Sequence, residues 1–98
     1  MSRLKLEVRQ AALDEAEAIR SWYEEQQAGL GERFTNALNE CFNELRHQPY
    51  LQVRKEPFRY ASISGFRSYR VVYAIDGDTI TVYLIRHTSR RPHPTYGP

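Results

Sequence analysis

The stretch "YRVVYAIDGDTITVYLIRH", Tyr69 to His87, constrains the fold more than any other part of this chain. Two runs rich in Val, Ile, Tyr and Thr, "FRSYRVVYAI" and "TITVYLIRH", read as strands. Between them, Asp76-Gly77 is a dipeptide that closes two-residue hairpins, because glycine accepts positive φ without a steric penalty. A loop of Asp76 and Gly77 would set Ile75 opposite Asp78, Tyr73 opposite Ile80, Val71 opposite Val82 and Tyr69 opposite Leu84. That register gathers the apolar side chains into one layer. The other face would then carry Val72 across from Thr81, Arg70 across from Tyr83, Ser68 across from Ile85, and Phe66 across from His87. This second face mixes aromatic, basic and hydroxyl groups and is the candidate working surface. Arg90 and Arg91 emerge at its end, just past the last strand.

Upstream, "LKLEVRQ" alternates Leu4, Leu6 and Val8 with Lys5, Glu7 and Arg9, the period of a strand. "AALDEAEAIRSWYEEQQA" carries Leu13, Ala16, Ile19, Trp22 and Tyr23 at helical spacing. Gly29 and Gly31 punctuate its end. A second helix follows, with Leu30, Phe34, Leu38, Cys41, Phe42 and Leu45 as its stripe, and stops before Pro49. Two striped helices joined by a short glycine turn form an antiparallel hairpin. Trp22 and Cys41 are expected in or near the core. "YLQVRKEP" shows no period and reads as a loop; "FRYASI" reads as a short strand. The order is β-α-α-β-β-β. The fold class is therefore α+β, an antiparallel sheet with the helical hairpin on one face, in a single domain over residues 1–98.

Composition narrows the function classes. The 98 residues suffice for one core, and the 41% hydrophobic fraction argues against disorder. One cysteine excludes an internal disulfide framework and suggests a reducing compartment. No apolar run approaches the roughly 18 residues that would suggest a membrane span. The N-terminus alternates charge with apolar groups instead of forming a secretory signal, so a soluble cytoplasmic protein is expected. The net charge of +2 conceals an asymmetry: residues 1–48 hold six basic and nine acidic side chains, residues 49–98 eight basic and three acidic. A basic half of this kind meets something negative, a nucleic acid or an acidic protein surface.

The whole pattern resembles the RelE/ParE toxin superfamily of bacterial type II toxin–antitoxin modules. The resemblance rests on "ALDEAEAI" and "WY" in the first helix, the Phe, Leu, Leu and Pro that close the second, and "YRVVYAIDGDTITVYLIRHTSRRP". It implies a small toxin neutralised by a cognate antitoxin, whose disordered segment folds over the helical hairpin and the sheet. It also implies one of two poisons. RelE-like members cut mRNA on the ribosome; ParE-like members inhibit DNA gyrase.

Metal-free RNA cleavage needs a base for the 2′-hydroxyl, cations for the phosphate, and an acid for the leaving oxygen. Under the RelE-like alternative, Arg70, Tyr83 and His87 are the catalytic candidates, with Arg86, Arg90 and Arg91 as further cations. The base is missing. Glu56 is the only carboxylate of the basic half outside the hairpin turn, and Lys55 is its only lysine. His87 and His93 do not suggest a metal site, because no cysteine or carboxylate clusters with them and proline interrupts the span. No cofactor is expected. A ParE-like protein asks only for a docking surface with arginine and aromatic anchors. Phe66, Arg67, Arg70, Tyr83, Arg86, His87, Arg90 and Arg91 supply those residue types. The bland alternative for the same arginines is a solvated sheet face and a mobile tail. The ParE-like branch is favoured, with gyrase and a cognate antitoxin as partners, ribosome and mRNA as the alternative, and no membrane.

Overall fold

The computed structural model of the chain describes residues 4–48, 53–55 and 57–88. Strand β1 (Lys5–Val8) leads into helices α1 (Gln10–Gln26) and α2 (Leu30–His47). Strands β2 (Val53–Lys55), β3 (Phe58–Ser62), β4 (Tyr69–Asp76) and β5 (Thr79–His87) follow. The five strands form one sheet in the order β1-β5-β4-β3-β2. The α+β order is as the sequence predicts, with two differences. The sheet is mixed: β1 runs parallel to β5, while the other neighbours are antiparallel. Side-chain alternation marks a strand but says nothing of its direction against a neighbour. And β2, three residues paired with β3, lies in the stretch that reads as a loop; it is too short to show a period.

The helical hairpin covers one face. On α1 the inward stripe is Ala12, Ala16, Ile19 and Tyr23, with Ala12 and Ile19 buried. Leu13 and Trp22, assigned to the stripe from the sequence, are instead 48% and 52% exposed. Each sits one position off the inward row, and two small alanines take the contact, letting the helix lie close. The α2 stripe holds from Phe34 on: Phe34, Leu38, Cys41 and Leu45 are buried, with Phe42 half-buried against them, while Leu30, at the first position of α2, is half-buried and stands outside the core cluster. Phe34 belongs to one core cluster with Val71, Tyr73, Ile80, Val82 and Ile85 of the sheet. Burying a phenylalanine or leucine of this kind stabilises by roughly 1.5–3 kcal/mol.

A carboxylate and two glycines close the hairpin. Gly29 adopts a left-handed φ of 88° at the start of α2. The Glu24 carboxylate accepts the N–H of Gly29 at 3.0 Å and of Gly31 at 3.1 Å, filling orphan donors of the α2 N-terminus. Gly31 allows the close approach: a Cβ there would lie 2.7 Å from the Arg20 carbonyl oxygen.

Candidate functional site

The β4–β5 hairpin decides which side chains share a face. Its two loop residues are Gly77 and Asp78, not Asp76 and Gly77, because Asp76 pairs with Thr79. Gly77 has φ 62°, and no described non-glycine residue has positive φ, the pattern of a type II′ turn with glycine first. Ile75 therefore faces Ile80, not Asp78, and Tyr73 faces Val82, not Ile80. This corrects the expected partners by two positions, which leaves each residue on its expected face.

Beyond Tyr73 the register slips. Val72 pairs with Leu84, so Tyr83 is an extra residue in β5, a β-bulge. From there the faces exchange. Val71 faces Ile85 instead of Val82, Arg70 faces Arg86 instead of Tyr83, and Tyr69 faces His87 instead of Leu84. Ile85 is sealed beneath the helices while Leu84 turns away with Val72. The expected pairs Val72 with Thr81, Ser68 with Ile85, and Phe66 with His87 do not form. The apolar layer itself exists: Val71, Tyr73, Ile80 and Val82 are fully buried. Leucine and isoleucine in adjacent positions hide a bulge, since either satisfies the core.

The face away from the helices carries paired arginines and aromatics. Arg70 and Arg86 stand directly opposite each other on neighbouring strands. The Arg70 guanidinium lies 5.6 Å from the Tyr60 ring centroid. Arg9, the residue after β1, lies 5.0 Å over the Tyr83 ring. Tyr83 in turn meets Phe58 edge-on at 5.5 Å. Tyr60, Val72 and Arg86 are buried; Phe58, Arg70 and Tyr83 are half-buried. Burial pushes the Tyr60 hydroxyl above its ordinary pKa, against the opposing pull of Arg70 and Arg86, so it stays a neutral phenol. Of the described carboxylates on this face, Asp76 sits at the hairpin end, about 20 Å along β4 from Arg70 at strand spacing. Glu7 belongs to β1, opposite Thr81.

Phe66 and His87 belong to the other side. Phe66 packs against Tyr23 at 5.0 Å and Phe34 at 5.3 Å. His87 meets Tyr69 edge-on at 5.1 Å, and Tyr69 packs on the helical core. Arg67 is exposed in the connection between β3 and β4. The structure thus gathers Arg70, Tyr83 and Arg86, and separates them from Phe66 and His87. Glu56, Arg90, Arg91 and His93 lie outside the described residues. Sequence reasoning missed Arg9, Phe58 and Tyr60. The alternation of β1 places Arg9 on the polar face, but nothing in it announces Tyr83 as a neighbour. Among the described residues no cluster of His, Cys, Asp and Glu is able to hold a metal ion, and no helix is long and apolar enough to cross a membrane.

Comparison with known proteins agrees with this architecture. No curated protein matches the chain. A chain of the solved structure "Chromosomal ParDE TA system from P. aeruginosa" superposes with a TM-score of 0.75 at 12% identity, covering 87% of this chain and 96% of that one. At that identity the likeness is one of fold. The family model described as "ParE toxin of type II toxin-antitoxin system, parDE" matches residues 6–92, a span running from β1 through both helices and every later strand. With nearly its whole length matched, the chain belongs to the ParE toxin family of type II toxin–antitoxin systems.

Proposed function

We propose that this toxin inhibits DNA gyrase through the arginine–aromatic face of its sheet and is held inactive by a cognate antitoxin. The observation that carries the reading is the bulge at Tyr83. It sets His87 against Tyr69, on the opposite side of the sheet from Arg70 and Arg86. A nuclease needs its general acid within hydrogen-bond reach of the phosphate that its cations hold. A docking surface needs only anchors of the right type, and arginine and tyrosine are the types enriched where binding energy concentrates. Arg70 with Tyr60 and Arg9 with Tyr83 are such pairs. The strongly basic second half of the chain supports an acidic partner surface.

Purified gyrase titrated with the chain tests the proposal. Supercoiling should fall, and the Arg70→Ala and Tyr83→Ala variants should inhibit less. Unchanged supercoiling at stoichiometric excess sinks the gyrase reading. Toeprinting on translating ribosomes tests the RelE-like alternative: mRNA cleavage that His87→Ala abolishes would replace inhibition by nuclease chemistry. Neutralisation is tested separately, by co-expressing the neighbouring open reading frame and scoring rescue of growth.

A further inference from the structure

We propose that β1 is a self-complementary edge through which two copies of this chain pair, joining their sheets across a two-fold axis. β1 is the terminal strand of the sheet, and among the described residues no strand lies beyond it. The register fixes which backbone groups point outward. Lys5 donates its N–H to the Asp78 carbonyl at 2.8 Å, and Arg9 donates to Val82 at 2.9 Å. In a parallel pair, alternate residues turn both N–H and C=O towards the neighbour. Lys5, Glu7 and Arg9 therefore face β5, and Leu4, Leu6 and Val8 turn their backbone groups outward. The Leu4 N–H reaches the Arg46 carbonyl at 3.4 Å, on the outer side. Leu4, Leu6 and Glu7 front an open groove of about 380 Å³ between β1 and Arg46. Exposed edge groups of this kind accept another strand.

The side chains select the occupant. Lys5 and Glu7 are exposed on one face of β1; Leu4, Leu6 and Val8 are half-buried on the other. Consider an antiparallel second β1 with the axis at Leu6. Leu6 then meets its own copy as a hydrogen-bonded pair, which uses both outward groups. Lys5 lies opposite Glu7 of the second copy, and Glu7 opposite its Lys5. Leu4 lies opposite Val8. Centring the axis on Glu7 or Lys5 sets like charges face to face, which disfavours both. This register uses both outward groups of Leu6, sets unlike charges opposite each other and keeps the apolar side chains together, while the Leu4 N–H stays with the Arg46 carbonyl. It leaves the Arg70 and Tyr83 face of each copy uncovered, so the pairing is independent of the proposed gyrase contact.

Sedimentation of the full-length chain, made by cell-free synthesis, tests the inference. A concentration-dependent dimer is expected in the micromolar range. Glu7→Lys sets lysine against lysine and should return the chain to a monomer, with its far-UV circular dichroism unchanged. Adding Lys5→Glu to that variant restores opposite charges and should restore the dimer. A wild-type chain that stays monomeric at high micromolar concentration overturns the inference. So does a dimer that Glu7→Lys leaves intact, or a monomer that the double swap fails to rescue.

Discussion

Single atoms set the spacing of the helical hairpin. Gly31 lies where α2 crosses α1, and an alanine there would press its Cβ to 2.7 Å from the Arg20 carbonyl oxygen, a backbone atom with no rotamer to yield. Gly31→Ala should therefore lower stability by about 1–3 kcal/mol, read from the denaturation midpoint. Glu24 adds a pH dependence. The N–H groups of Gly29 and Gly31 hold its carboxyl below the ordinary 4.5. A depressed carboxylate stabilises the fold above its unfolded value, and that contribution disappears as pH falls through the folded value. Thermal melts of Glu24→Gln should accordingly show a shallower loss of stability below about pH 4.5 than wild type. Cys41 is buried on α2, and its thiol points to the Ser62 carbonyl at 3.7 Å. Desolvation pushes it up to about 11. A thiol reagent at mildly alkaline pH should leave the native chain unmodified and label it once denaturant is added.

At the scale of elements, the sequence foretells existence better than register. The strand "TITVYLIRH" coincides with β5, and α2 stops just short of Pro49 as its residues predict. Apolar periodicity carries that information, because a core rewards it directly. It could not reveal the bulge, since Leu84 and Ile85 are interchangeable to a core, and it placed Trp22 inside because an aromatic one step off a stripe still looks helical. Position of the turn was likewise hidden: Asp-Gly and Gly-Asp loops are both sterically allowed, and the favoured one is that which pairs Ile75 with Ile80. Gly77→Val, with φ 62° at stake, should cost about 1–2 kcal/mol. β5 also extends past the short β1, which ends at Val8, and α1 supplies an acceptor there: Glu15 Oε1 takes the Ile85 N–H at 3.0 Å. In Glu15→Ala, amide exchange at Ile85 should accelerate while that at Val82 changes little, as hydrogen-exchange NMR would show.

For the molecule as a whole, the candidate site was half legible. Arg70 and Tyr83 were named from residue type beside an apolar layer. Tyr60, Phe58 and Arg9 were not, because they arrive from β3 and from the end of β1, and their neighbours are set by long-range pairing. That same long-range pairing has a further consequence. Lys5 finds its partner in Thr79, and Val8 in Val82, so among the described residues the first strand made is joined to the last. During translation β1 has no neighbour until residues 79–87 have cleared the exit tunnel, and contacts so distant in sequence close slowly. A nascent or prematurely terminated chain lacking β5 should then remain unfolded, as a truncation before Thr79 followed by limited proteolysis would show. A cell making this toxin would then be spared by its unfinished copies, with β5 as the latch that closes the described sheet onto β1.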